Sequence, residues 1–304
     1  MVRTALRWTA WTLAVVLALA VIAAAVLYFM GSNRLQRSYA PTVATVAVPD
    51  DESAIARGGH LARSVTVCTA CHGDDLAGTV MADAPGMFRL VAPNLTAGGV
   101  GAELQTEDFV RAIRHGVARS GRGLLVMHSD AFHNLAEADL AALIAFVRSL
   151  PPVENRLETT TVRPLGRVLF ALGMFDSENA PILPAETIDH DASFEQAPPE
   201  GPTSEYGAYL ASITLCYLCH GQDFRGAPPF DEGAPAGPDV LAWVSSESNE
   251  LEDFQRLVRT GMTPSGRQID PHHMPWDDFN GLTDVETAAL WSWLRAGAAD
   301  ASVP

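Results

Sequence analysis

The sequence contains one five-residue pattern twice, as Cys68-Thr69-Ala70-Cys71-His72 and as Cys216-Tyr217-Leu218-Cys219-His220. Each copy places two thiols three positions apart, and a histidine follows directly. The chain has four cysteines and nine histidines in 304 residues, and all four cysteines lie in these copies. Chance predicts roughly 0.0016 copies per chain at this composition, so the pattern is a real signal.

This spacing suits covalent haem attachment, because two thiols can add across the vinyl groups of one haem while the histidine reaches the iron. Paired cysteines also occur in zinc knuckles, thioredoxin-like redox pairs and structural disulfides. A zinc site would not require a histidine after each pair. A thioredoxin-like pair would normally open a helix after a strand, and no strand pattern precedes either pair. We predict two haem c groups, attached through Cys68, Cys71, Cys216 and Cys219, with His72 and His220 on the irons.

Residues 8–30 carry no charge and would span about 34 Å as a helix, enough to cross a bilayer. A cleaved signal peptide is the alternative, but the run is long for one and Tyr28-Phe29-Met30 offers no small-residue cleavage site. The flanking arginines barely favour either orientation. Because bacteria attach haem c outside the cytoplasmic membrane, we predict a single-pass membrane protein whose body faces the periplasm.

The body of the chain is strongly acidic. The first 40 residues hold four arginines and no acid, so the remainder has 16 arginines, 36 acidic residues and a net charge of −20. The chain contains no lysine. Such acidity disfavours nucleic acid and anionic lipid surfaces, and it would steer the body towards a basic docking face on a redox partner. Acidity that serves only solubility is the alternative interpretation.

The neighbourhoods of the two patterns also repeat. Ser64 to Cys68 corresponds to Ser212 to Cys216 at an offset of 148, and later positions recur at offsets of 145 and 147. This indicates an internal duplication of about 100 residues. Helical patterns with long loops predict an all-α fold. The predicted parts are an anchor (1–40), an extended stalk (41–52), a first domain (53–152), a linker (153–202) and a second domain (203–304).

The linker contains one apolar patch, Pro164 to Phe175. A segment that merely tethered two domains would not need it. We predict a short helix wedged between the domains, with contact to the membrane as the alternative.

One methionine recurs at the same place in each copy. Met127 precedes Phe132 by five residues, and Met274 precedes Phe279 by five, both before the last helix. A lone methionine is usually a core filler, but this repetition predicts that both are the sixth iron ligands. Three histidines are rivals for these positions: His128, His272 and His273.

Taken together, the two cysteine patterns, a proline-containing loop and a methionine before the last helix resemble class I cytochrome c, over residues 53–152 and 203–298. Ala92-Pro93-Asn94-Leu95 and Gly237-Pro238-Asp239 look like the Gly-Pro-Asn-Leu turn of that family. The resemblance implies that the carbonyls of Pro93 and Pro238 orient His72 and His220. Met274-Pro275 matches the Met-Pro pair of the family, whereas Met127 is followed by His128.

The resemblance has two further implications. Gly59 and Gly207, facing Phe146 and Trp293, should form the contact between the first and last helices of each domain. Four arginines could neutralise haem propionates, unless they are simply solvated: Arg114, Arg122, Arg259 and Arg267.

Ligation by histidine and thioether leaves no vacancy at the iron, and this favours an electron carrier that is not itself an enzyme. We expect single-electron transfer in a membrane-associated respiratory or dehydrogenase-linked chain. The alternatives are a dihaem peroxidase, which would need an exchangeable sixth ligand, and a cytochrome subunit whose catalytic partner is another periplasmic chain.

Overall fold

A computed structural model describes residues 2–177, 179–229 and 233–300 of the chain. The first element, α1 (Val2–Gln36), has 35 residues. It contains an 18-residue window of mean hydropathy 2.8, none of which is buried. Its length and composition therefore suit a membrane span, as the sequence predicted.

The first repeat (residues 53–152) is built on two crossing helices. Helix α2 (Glu52–His60) starts at Asp51, whose carboxylate accepts a 2.9 Å hydrogen bond from the Ala54 amide. It runs directly into a π-helical turn, Leu61–Val65. The helices that follow are α3 (Cys68–His72), α4 (Thr106–His115), α5 (Ser129–Phe132) and α6 (Glu137–Ser149).

The first repeat also contains strands, which the all-α expectation missed. Strands β1 (Thr79–Ala84) and β2 (Phe88–Ala92) of this repeat form an antiparallel sheet with β3 (Thr161–Val162) of the linker, in the order β1-β2-β3. The β1–β2 turn uses Gly86 at a φ of +80°, a left-handed conformation that glycine adopts without strain. Pro85-Gly86 between two runs containing valine and phenylalanine was the signal for this hairpin.

The linker helix α7 (Pro164–Ala171) does not lie between the repeats, so the wedge prediction was wrong. It packs against α1 and against the β1–β2 turn, where the Leu165 amide donates to Gly86 O at 3.2 Å. Residues 41–50 lie outside helices and strands, but they pack against the core and do not form a free stalk. Val46 is 5% exposed and belongs to the hydrophobic core.

The second repeat (residues 203–304) begins with α8 (Ser204–Ile213), which packs against the last helix, α13 (Asp284–Asp300). Between them lie α9 (Tyr217–His220), α10 (Val240–Ser245), α11 (Leu251–Thr260) and α12 (Trp276–Phe279). Gly207 lies at the crossing, where an added Cβ would come within 2.0 Å of Ala289 O.

In the first repeat Gly58 lies at the corresponding crossing. The prediction of Gly59 for this place was wrong. A Cβ on Gly58 would lie 1.9 Å from Ala142 O, whereas one on Gly59 would first meet the flexible Arg63 side chain. The reason is the π-helical turn, which accommodates one extra residue between the crossing and the cysteines. A fixed offset of 148 from the motif therefore selects the wrong glycine.

The two repeats share one continuous hydrophobic core and several polar contacts. His60 lies 2.8 Å from Glu286 Oε1, and the Tyr209 hydroxyl donates to Asp139 Oδ2 at 2.6 Å. The Tyr217 hydroxyl donates to Asp130 Oδ2 at 2.5 Å. The second cysteine motif is thus joined to the loop that carries Met127.

Candidate haem sites

The first motif starts from an unusual backbone. Val67 has a φ of +42° and turns the chain into α3, and Gly73 ends that helix at a φ of +82°. Thr66, which is 1% exposed, places its Oγ1 3.3 Å from Cys68 Sγ. All four cysteines are free, and burial raises the pKa of the thiols of Cys68 and Cys216.

Both motif histidines are held by a proline carbonyl. His72 Nδ1 lies 2.9 Å from Pro93 O, and His220 Nδ1 lies 3.0 Å from Pro238 O. A carbonyl only accepts, so Nδ1 carries the proton in each ring and Nε2 keeps its lone pair. Burial lowers the pKa of both imidazoles, which favours the neutral form that binds metals.

The loop that presents each proline has the same backbone in both repeats. Leu76 has a φ of +53°, and the Leu95 amide donates to Leu76 O at 2.9 Å. In the second repeat Phe224 has a φ of +58°, and the Val240 amide donates to its carbonyl at 3.0 Å. Left-handed conformations are costly for such side chains. Their recurrence at an offset of 148 marks the loops as equivalent.

A glycine lies two residues after each of these, at Gly78 and Gly226. The Gly78 amide donates to His72 O at 2.7 Å, and the Gly226 amide donates to His220 O at 2.8 Å. Both glycines have positive φ angles, and a Cβ on Gly78 would lie 2.6 Å from the Asn94 nitrogen. The glycine thus lets the motif and the proline loop approach closely.

The two candidate methionines also sit in matching turns. The Ser129 amide donates to Met127 O at 2.6 Å, and the Trp276 amide donates to Met274 O at 2.7 Å. Both methionine side chains are half-buried, and Met127 packs against the core. Of their rivals, His272 and His273 are exposed. His128 has a buried Nδ1 that lacks a hydrogen-bond partner within the described residues.

The four predicted arginines fall into two groups. Arg122 and Arg267 are exposed, each in a turn closed by a glycine of positive φ. Arg114 is 3% exposed and donates to the carbonyls of His133, Ala192 and Ser193. Arg259 pairs with Asp284 at 2.7 Å. Arg114 and Arg259 therefore already have protein partners, whereas the guanidinium groups of Arg122 and Arg267 have none within the described residues.

Sequence reasoning missed the linker contacts that support the first site. Asn94, 3% exposed, donates from Nδ2 to Val153 O at 2.8 Å and accepts at Oδ1 from the Thr96 amide. The Asn155 side chain donates to Ala77 O at 2.9 Å. An asparagine directly after the proline was visible in the sequence, but its partner lies about 60 residues away.

A histidine cluster near α4 was also missed. His115 Nδ1 lies 3.1 Å from His190 Nδ1, and His190 Nε2 lies 3.1 Å from Ala185 O. Because Ala185 O requires a proton on His190 Nε2, His115 donates within the pair. Burial, together with the neighbouring His190 and Arg114, lowers the pKa of His115 to about 4. The histidines come from distant parts of the chain, so no local pattern indicated the cluster.

The donor set at each motif fits haem c. Two free thiols stand beside an imidazole whose orientation and tautomer are fixed and whose Nε2 makes no hydrogen bond within the described residues. A zinc site fits less well. Across residues 2–177, 179–229 and 233–300, no three His, Cys, Asp or Glu side chains converge as metal ligands.

Comparison with known proteins bears on the same residues. The family model for cytochrome c oxidase, cbb3-type, subunit III matches residues 53–147. The fructose dehydrogenase cytochrome subunit of Gluconobacter japonicus is 25% identical over 297 residues, covering 89% of this chain and 57% of that protein. The gluconate 2-dehydrogenase cytochrome c subunit of Pantoea cypripedii is 28% identical over 299 residues, covering 86% and 64%.

A third relative, one of the subunits of nicotinate dehydrogenase from Pseudomonas putida, is 28% identical over 195 residues, which cover 60% of this chain and 15% of that protein. The chain thus spans about three fifths of the length of the first two relatives. Residues 53–147 form a cytochrome c domain by this match, and most of the chain is similar to the cytochrome subunits of two dehydrogenases.

Proposed function

We propose that this chain is a membrane-anchored dihaem cytochrome c that accepts single electrons from a dehydrogenase and passes them to a further acceptor. The observation that carries the proposal is the repeated contact between a motif histidine and a proline carbonyl, at 2.9 Å for His72 and 3.0 Å for His220. The curated relatives named as dehydrogenase cytochrome subunits support a dehydrogenase as the donor. Their different substrates give no ground for choosing one.

In this proposal the chain has two haem domains, 53–152 and 203–304, joined by the linker 153–202. The cysteines of each motif would attach one haem, His72 and His220 would bind the irons, and Met127 and Met274 would be the second protein ligands. Bound haem would supply reversible one-electron chemistry at iron. Arg122 and Arg267 are the better candidates for the propionates, because Arg114 and Arg259 already have partners.

The residues of the chain perform three tasks in this scheme. Pro93 and Pro238 hold the Nδ1 protons, which fixes the tautomer and the basicity of each ligand. The methionines would complete the protein ligands of each iron and so would exclude oxygen and peroxide. The acidic surface, with a net charge of −20 beyond residue 40, attracts a basic face on the redox partner.

The N-terminal helix places these domains in the proposed location. We propose that α1 crosses the bacterial cytoplasmic membrane once and keeps the haem domains on its periplasmic side. The length of α1 and the exposure of its most apolar 18-residue window support the anchor. The need to attach haem outside the cytoplasm supports the orientation.

The test is a redox titration of the haem-loaded protein, followed optically and by electron paramagnetic resonance. Met127→Leu and Met274→Leu should each convert one haem from low spin to high spin, and Met174→Leu is the control because Met174 is 65% exposed on the linker. An unchanged spectrum in either ligand variant would reject that methionine. Rapid peroxide turnover by the unaltered protein would instead favour a peroxidase.

A further inference from the structure

The linker helix α7 and the residues just after it expose apolar side chains that the proposed electron transfer does not use. Outside α1, only three large apolar side chains of the described residues are more than half exposed: Leu165 (51%), Leu172 (54%) and Met174 (65%). All three lie within ten residues of one another. Such a cluster on an otherwise polar surface indicates a contact with something apolar.

This cluster is fixed to one end of α1. A Cβ on Gly31 would lie 1.9 Å from Arg167 O, so the backbones of α1 and α7 are in direct contact. Arg167 donates to Ser32 Oγ at 3.1 Å, and its guanidinium carbon lies 5.7 Å from the Tyr28 ring centroid. The position of α7 relative to α1 is therefore determined by packing.

A second arginine, Arg34 at the end of α1, also holds α1 and α7 together. The Arg34 guanidinium lies 4.5 Å from the Phe170 ring centroid and donates to Asp176 at 2.7 Å and to Glu186 at 2.8 Å. These carboxylates belong to the linker that follows α7. The apolar cluster consequently cannot swing away from α1 without breaking these ion pairs.

Helix α7 contacts α1 near the end of its uncharged run, and this position determines what the apolar cluster can reach. The uncharged run ends at Met30, and its length of about 34 Å slightly exceeds a hydrocarbon core of about 30 Å. Phe29 and Met30 are 64% and 54% exposed, so the apolar surface of α1 continues to the level of α7. Aromatic and arginine side chains at this level are typical of the membrane interface.

We propose that Pro164–Met174 is a membrane-surface element, which rests on the proposed role of α1 as the anchor. In this arrangement α7 lies at the interface of the bilayer that α1 crosses, and Leu165, Leu172 and Met174 insert among the acyl chains. Continuity with the exposed Phe29 and Met30 favours lipid over a protein partner. The attraction is apolar, because the acidic body would be repelled by anionic headgroups.

The consequence is a fixed orientation of the first repeat on the membrane. Helix α7 also holds the β1–β2 turn, since a Cβ on Gly166 would lie 1.9 Å from Met87 O. The sheet leads into Pro93, which orients His72. The first haem site would therefore sit at a set height above the bilayer.

Photocrosslinking of the full, haem-loaded chain in phosphatidylcholine vesicles tests this proposal. Leu172 or Met174 is replaced by p-benzoyl-phenylalanine, and lipid adducts are measured by mass spectrometry after irradiation. The same replacement at Leu19 on α1 and at Val285 on α13 provides the controls, since both are exposed (60% and 42%). We expect adducts at 172 and 174 in yields comparable to those at 19, and at least about tenfold lower at 285.

The controls separate failure of the inference from failure of the anchor. Adducts at 19 with yields at 172 and 174 as low as at 285 would overturn the membrane contact of α7 while leaving the anchor intact. A lack of adducts at 19 would overturn the anchor and the inference with it. Adding anionic lipid should not raise the yield at 172, and a strong increase would contradict an apolar contact.

Discussion

The first repeat (53–152) and the second repeat (203–304) hold their motif histidines alike but support them differently. Carbonyl groups of the linker accept hydrogen bonds from the first repeat at three places. Val153 O accepts from the Asn94 side chain, and Ile182 O accepts from the Val126 amide. The carbonyls of Ala192 and Ser193 accept from Arg114. The second repeat instead starts α10 after Pro238, where Asp239 caps the helix by accepting from the Ala242 amide at 2.8 Å.

This difference is reflected in the exposure of the two histidines. His72 is 8% exposed, whereas His220 is only half-buried. The same contact between the motif histidine and a proline carbonyl can thus form although different segments surround the histidine. The comparison separates the contacts that both sites need, namely the proline carbonyl and the close glycine, from those that only the first repeat uses.

The helix crossings should give the largest effect when broken. Gly58→Ala and Gly207→Ala each drive a Cβ into a backbone carbonyl, at 1.9 Å and 2.0 Å, so each should lower the free energy of unfolding by about 3 kcal/mol. Gly59→Ala is the matched control and should cost about 1 kcal/mol, because the Arg63 side chain can move. Urea denaturation followed by circular dichroism measures these values. A larger loss for Gly59 than for Gly58 would contradict the assigned equivalence.

The contact between the repeats should give the next effect. Tyr217→Phe removes the hydroxyl that donates to Asp130, whose Oδ1 is already buried without a hydrogen-bond partner within the described residues, and should cost about 2 kcal/mol. Tyr209→Phe should cost less, about 1 kcal/mol, because Arg57 still pairs with Asp139. The same denaturation assay compares them. Equal losses would show that Asp130 does not depend on Tyr217.

The histidine cluster should make the stability of the two repeats differ in its dependence on pH. This is the smallest of the expected effects on stability. Burial and the neighbouring His190 and Arg114 lower the pKa of His115 to about 4 in the folded chain, against an unfolded value of about 6.5. The unfolded chain therefore binds the proton first as pH falls, and stability is lost from about pH 6.5 downwards. Since His115 lies in the first repeat, that repeat should be the more sensitive to acid.

The variant His115→Gln keeps an amide donor for His190 but cannot titrate. It should lose about 1–2 kcal/mol less stability than the unaltered chain between pH 7 and pH 4.5. Denaturation curves at the two pH values measure this difference. If the stability of both proteins depended on pH in the same way, the lowered pKa of His115 in the folded chain would be refuted.

Much of the haem-site geometry was predictable because it is local or repeated. The cysteine motifs, the proline turns and the methionine turns lie at matching offsets, and each turn needs residues close in sequence. The three longer helices of the first repeat, α2, α4 and α6, followed from their start and stop residues for the same reason. The family resemblance is confirmed for residues 53–147.

What could not be predicted depends on contacts between distant segments. The place of α7 on α1 follows from Gly31 and Arg167, which are 136 positions apart and show no shared pattern. The π-helical turn changes the register by one residue, which offsets alone cannot reveal. The burial of Arg114 arises from linker carbonyls, whose position no local sequence rule specifies.

The most direct test is the haem content of the chain matured in a bacterial host, because the family match covers the first repeat alone. Intact mass, together with the haem absorbance per chain, counts the covalently attached groups. We predict two haems for the unaltered chain and one for the Cys216→Ala, Cys219→Ala double variant. A single haem on the unaltered chain would contradict the account.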